Sequence, residues 1–208
     1  MPSTVIHLAI AKEINSKLKR DNSKFLLGAI APDIYKDVGI EKKITHFIDN
    51  ENGIPNLDLF LKKYKDNLDD DFVLGYYVHL FADFLWFKYF LTEIRGKNII
   101  TKIDGTKIKY TGNMDLIYIY SDYTDLNMKV IDKYSLDLKI YYNDIPIIDN
   151  IITEIPMDKL NILLDNTGQI IENSKSHKNM VFNMDHINQF IKTTIELLDG
   201  NLKEIGII

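Results

Sequence analysis

The chain has 208 residues with 25 Lys and Arg, 30 Asp and Glu, five His, no Cys and a net charge of -5. The absence of cysteine excludes thiolate metal sites and a disulfide framework, so any metal must be held by His, Asp, Glu or backbone groups. Lys and Arg form no stripe, so the electrostatic footprint of a protein that binds nucleic-acid polymers is missing, and a small nucleotide or a lipid head group stays open as a partner. The length suits a single domain spanning 1–208 with a core that needs no metal merely to fold.

The first segment, Met1 to Glu13, has no basic n-region and no long apolar run; it does not read as a secretory signal, and the cytoplasm is the expected compartment. Residues 3–20 predict a helix capped by Ser3 or Thr4, with Val5, Ile6, Ile10, Ile14 and Leu18 setting the apolar period. His7 shares that inward face and, taken alone, reads as a core histidine. Residues 23–31 predict a short buried helix, broken at Ala31-Pro32-Asp33 because proline biases the residue before it away from helix. Asp33 then stands where an apolar element ends, as a cap or turn residue would. Residues 41–48 predict another short helical piece with His46 beside Ile44 and Phe47, and Asn56 caps a helix running to about Asn67.

Asp71 to Leu91 is apolar almost all round and dense in aromatic residues, the pattern of a helix at the centre of a protein. His79 and Asp83 interrupt it four residues apart, on one face and about 6 Å apart in rise. Left unpaired, buried polar groups cost roughly 2–7 kcal/mol each. A divalent metal satisfies both, and so does a direct His–Asp hydrogen bond; the pair by itself leaves the two open. The run is long enough for a membrane span, but His79 and Asp83 are costly in lipid and no second span shelters them.

Asn98 to Tyr110, with Asp104-Gly105 between β-prone runs, predicts a small hairpin inserted near 98–110. Met114 to about Tyr134 returns to a helical period, and Asp122 and Asp125 are assigned to its solvated face. Met157 to Leu164 predicts a helix, with a separate piece beyond Gly168. Asn183 or Asp185 opens the last helix, which ends near Gly200. His177 reads as a loop residue and His186 as a helix-start residue. The fold class is therefore mainly α, a multi-helical bundle with one β-hairpin insertion.

In chain order, the chemistry-bearing residues are His7, Asp33 after Pro32, His46 in Thr45-His46-Phe47, and His79 with Asp83 in the run from Gly75 to Asp83. Over roughly the first 90 residues this ordered set resembles the bacterial zinc-dependent phospholipase C family, whose helical fold is shared with the fungal single-strand-specific zinc nucleases. The resemblance implies that fold and phosphodiester hydrolysis at a three-zinc cluster. It implies that His46, His79 and Asp83 hold one zinc, with Asp33 as ligand or catalytic base. Asp83 then bridges to a second zinc held by His7 and by the amine of the mature first residue, which is Pro2 if Met1 is removed. The chain departs from the family at the third site. Tyr89 stands where the family has His, and no His follows before His177, so that Asp122 (in Tyr118-x-x-x-Asp122), or Asp125 after Ser121, is a remnant. Two zinc ions are expected, with the third absent or weak, and a small phosphoester or phospholipid head group as substrate. Two other classes stand beside the hydrolase: a metal-binding helical module whose activity has decayed, and a helical interaction protein whose His–Asp pairs are core hydrogen bonds.

Overall fold

The computed structural model describes residues 1–112 and 114–208, leaving aside the side chains of Met114 and Asp115. It is a mainly helical, multi-helical bundle with a small three-stranded antiparallel sheet inserted between helices. Helix α1 spans Thr4–Leu18, and Ser3 caps it by accepting from the Ile6 N–H; α2 spans Asn22–Gly28 under an Asp21 cap. A 3-10 turn, Ala31–Ile34, leads into α3 (Tyr35–Val38), followed by α4 (Lys42–Thr45) and α5 (Leu57–Tyr64). The Asn56 side chain caps α5 as the sequence predicts, and a single 3-10 turn completes the segment to Asn67.

Helix α6, Asp71–Leu85, is the centre. The Asp70 carboxylate accepts from the Phe72 and Val73 N–H groups and so closes its first turn with charge of the favourable sign. All but two of its side chains are buried, among them the polar His79 and Asp83. Against it lies α2, at a distance that only glycine permits. A Cβ on Gly28 would stand 2.1 Å from the Phe72 carbonyl oxygen, and one on Gly75 would stand 2.1 Å from the Phe25 carbonyl oxygen. These two glycines let the helix backbones touch, and the contact places the end of α2 against the middle of α6.

The central element differs from the single helix expected over 71–91. After Leu85 the chain widens into a π-turn, Trp86–Phe90, in which the Leu91 N–H reaches back to the Trp86 carbonyl; α7 (Leu91–Ile94) follows. The aromatics explain the change. Trp86 is fully buried between Phe90, Phe182 and Phe190, with ring centroids 4.5, 5.3 and 4.8 Å away, while Tyr89 stays half exposed. The sheet comprises β1 (Arg95–Gly96), β2 (Ile99–Thr101) and β3 (Lys107–Lys109), with Gly105 at φ 81 in the predicted turn; the insertion has one strand more than expected.

Helix α8 runs Met114–Lys133, α9 Leu160–Glu172 and α10 Met184–Glu204. Helix α9 passes through Gly168 unbroken, where two pieces were expected, and Met157–Lys159 is a 3-10 turn leading into it. His186 is a helix-start residue as expected: its ring accepts from the Asn183 N–H while the Asn183 side chain caps the helix. Asp122 and Asp125 do not lie on a solvated face; both carboxylates are buried. Among the described residues no helix is long and apolar enough to cross a membrane.

Candidate metal centre

The five residues His7, Asp33, His46, His79 and Asp83 converge from four elements into one buried volume; none is more than 2% exposed. His7 lies one turn into α1, Asp33 in the 3-10 turn after α2, His46 at the C-cap of α4, and His79 with Asp83 on α6. Two groups of three hold their ligand atoms within 4.8 Å of one another: His7, His79 and Asp83, and Asp33, His46 and His79.

The helix packing fixes the tautomer of His79. The Gly28–Gly75 crossing puts the Ala29 carbonyl 2.8 Å from His79 Nδ1. A carbonyl only accepts, so Nδ1 carries the proton and Nε2 presents a lone pair. His46 Nδ1 lies 2.8 Å from Thr45 Oγ1, a hydroxyl that orients the ring and can either donate or accept there. The Nε2 atoms of His79 and His46 face each other at 3.3 Å. His46 Nε2 is also 3.7 Å from Asp33 Oδ1 and 3.5 Å from Asp83 Oδ2, and His7 Nε2 is 3.5 Å from Asp83 Oδ1. Ligands about 2.0–2.1 Å from a tetrahedral zinc stand ~3.3 Å apart, so these separations suit atoms that share an ion.

The polar atoms here are otherwise orphaned. Both ring nitrogens of His7, Oδ1 of Asp33 and both carboxylate oxygens of Asp83 are buried without a hydrogen-bond partner. His7 stacks on His79 with ring centroids 3.9 Å apart, which orders the ring but satisfies neither nitrogen. Burial holds the His46 imidazole below its ordinary pKa, and burial together with the His7 charge holds that of His79 well below. Both are neutral at pH 7, the state in which imidazole binds metal. For the carboxylates burial acts upward but is overcome. Lys36 and then His46 hold Asp33 well below the usual range; Lys42, His7 and His79 do the same for Asp83. The donor set is thus three imidazoles and two carboxylates, a composition suited to zinc.

The chain's amino group lies within electrostatic reach of the cluster. The Met1 amine is buried and feels the charges of Asp83, Lys42 and Asp33; burial, against the pull of Asp83, lowers its pKa to about 5. Its lone pair is free at neutral pH. The Met1 carbonyl is fixed by the Tyr123 hydroxyl at 2.7 Å. Pro2, whose amine is free only if Met1 is removed, lines a cavity of about 380 Å³ with Met1, Val5, Lys36, Tyr123 and Ile170.

The expected remnant of a third site is elsewhere. The carboxylate of Asp122 accepts backbone N–H bonds from Met180, Val181 and Phe182 at 2.8, 2.6 and 2.8 Å, and His177 Nε2 lies 3.5 Å away. Asp122 anchors the segment before α10 and belongs to neither cluster; Asp125 pairs with Lys129 at 2.6 Å. Tyr89 lines a different cavity, between the π-turn and α10. The sequence reading overlooked the Ala29 carbonyl, the Met1 amine while Met1 remains in place, and two lysines, Lys36 and Lys42, that stand beside the carboxylates at 3.1 and 3.6 Å. Lys36 sits three residues after Asp33, a spacing that is a weak signal because surface pairs share it. No protein family, curated protein or solved structure matches the chain.

Proposed function

We propose that this protein is a zinc-dependent phosphodiester hydrolase of phospholipase C-like type. The observation that carries the reading is the set of buried, partnerless ligand atoms on His7, Asp33 and Asp83, beside the Nε2 atoms of His46 and His79, 3.3 Å apart. A core built only for stability leaves few such groups, because each costs about 1–3 kcal/mol.

Asp33, His46 and His79 are the residues that would hold one ion. Because His79 Nδ1 is committed to Ala29, its single free nitrogen serves one ion, although both clusters include it. Asp83 turns one oxygen toward His7 and the other toward His46, so it would be the residue shared between two ions; His7, with the amino group of the first residue, would hold the second. Bound zinc polarises phosphoryl oxygens and lowers the pKa of a bound water toward about 7. Asp33, whose Oδ1 is buried and without a hydrogen bond, would serve either as a ligand or, where it stays unligated, as the base that orients and deprotonates that water. The aromatic shell of Tyr35, Phe47 and Tyr76 excludes bulk solvent and strengthens these charge interactions. The substrate is a small phosphoester or a phospholipid head group.

A second reading, a metal-binding helical protein that has lost catalysis, is favoured by one observation: the residues at the expected third site, Tyr89 and Asp122, are engaged elsewhere. Elemental analysis of the purified protein beside His79→Ala and Asp83→Ala tests the metal. About two zinc ions per chain, falling sharply in both variants, is the expected result, followed by turnover in a phosphodiester screen. Zinc without turnover selects the second reading, and a metal-free chain after zinc addition overturns both.

A further inference from the structure

Two ammonium groups stand on the solvent side of the buried carboxylates. Lys36 Nζ is 3.1 Å from Asp33 Oδ2 and its side chain is 42% exposed; Lys42 Nζ is 3.6 Å from Asp83 Oδ2 and is 25% exposed. Lys42 also lies 4.5 Å above the Phe87 ring, and Lys36 borders the 380 Å³ cavity beside Met1. In the metal-free arrangement these lysines supply the positive charge that Asp33 and Asp83 need. Metal binding changes the accounting. Each carboxylate then has a stronger cationic partner, and two lysines on flexible four-carbon stems are left at the mouth of a site that has gained positive charge. Both ammonium groups reach solvent, Lys36 along the cavity beside Met1, so that each can meet an anion approaching the site.

We infer that Lys36 and Lys42 form an exchangeable phosphoryl clamp, paired with Asp33 and Asp83 in the metal-free protein and turned to the non-bridging oxygens of a phosphate once zinc is bound. The inference rests on the hydrolase reading and adds a selectivity to it. A diester carries one negative charge and two non-bridging oxygens. Its hydrolysis product, a monoester, carries up to two charges and three such oxygens. Two ammonium donors favour the second, so the site holds dianionic phosphate more tightly than a diester and is inhibited by its own product.

The test titrates zinc-loaded protein with inorganic phosphate and, separately, with dimethyl phosphate at neutral pH, using calorimetry. Wild type is compared with Lys36→Met, Lys42→Met and the two Lys→Arg variants, and zinc content is measured on every sample. The expected result is a wild-type preference for inorganic phosphate, about tenfold weaker phosphate binding in each Met variant, recovery in the Arg variants, and unchanged zinc. Melting temperature supplies a second readout: Lys42→Met lowers it in metal-free protein and leaves it nearly unchanged when zinc is bound. Zinc-loaded Met variants that bind phosphate as wild type does would overturn the clamp and leave the hydrolase reading standing. Equal melting losses with and without zinc would overturn the exchange, because the lysine would then still be serving the carboxylate. Wild type that takes up no zinc removes both the hydrolase reading and the clamp.

Discussion

His79 is where the two clusters meet, and its chemistry is set by a single contact. The Ala29 carbonyl holds the proton on Nδ1, so Nε2 faces His46. His7 stacks on His79 but brings its Nε2 toward Asp83, 3.5 Å away, and belongs to only one of the two groups. His7→Ala is therefore expected to retain about one zinc per chain while His79→Ala retains less, a difference read directly by elemental analysis. Thr45→Val removes the hydroxyl that orients His46 and is expected to weaken zinc binding about 10–100-fold in a competitive chelator titration. Protonation acts at the same residues. His46 and His79 have folded-state pKa values below the ordinary ~6.5, so the unfolded chain takes up protons that the folded one refuses. The Met1 amine, lowered from 8.0 to about 5, acts in the same direction. The stability of chelator-treated protein should thus fall as pH drops from 8 toward 5. Asp33 and Asp83, whose pKa values are lowered, contribute stability above about 3.9 that is lost below it. A melting temperature constant between pH 8 and pH 5 would contradict this assignment.

At the scale of elements, the crossing of α2 and α6 carries the site. Gly75→Ala drives a methyl group to 2.1 Å from the Phe25 carbonyl oxygen, and backbone does not yield as a side-chain tip does. The expected cost is about 3 kcal/mol or more, read as a lowered denaturant midpoint, together with weaker zinc binding because Ala29 and His79 separate. Asp122 has a comparable role on α8, where one carboxylate gathers three consecutive N–H groups of the segment that leads into α10. Asp122→Ala leaves those donors without their acceptor and is expected to cost about 3 kcal/mol while zinc content stays at the wild-type level. Loss of zinc in that variant would return Asp122 to the metal site. The helix period marks α8 but does not distinguish an outward carboxylate from one that caps a neighbouring segment. The π-turn escapes the same kind of reading, since it follows from how Trp86 finds room between Phe182 and Phe190, roughly a hundred residues later in the chain.

For the whole molecule, the candidate metal centre is costly without an ion. Five ionisable side chains share one buried volume, short of hydrogen bonds, with Lys36 and Lys42 beside the two carboxylates. Ions that bind only the folded state stabilise it by about 4 kcal/mol when free zinc is a thousandfold above the dissociation constant. For a chain of this length that corresponds to a rise in melting temperature of about 10 °C, reversed by chelator, measurable by scanning calorimetry. An unmoved transition would mean that the folded state gains nothing from the ion.

The sequence placed most helices and located the insertion, and it joined His7, Asp33, His46, His79 and Asp83 into one set only through the family their order resembles; taken singly, His7 reads as a core residue and Asp33 as a turn residue. Helical period, capping residues and the Asp104-Gly105 turn are local, and local interactions are written in consecutive residues. Tertiary structure alone decided which nitrogen of His79 is free, which oxygen of Asp83 faces which histidine, and that Lys36 and Lys42 stand beside the carboxylates. Each of those facts depends on atoms brought together by the close packing of α2 on α6, and the approach of two backbones at Gly28 and Gly75 leaves no periodicity in either helix from which it can be read.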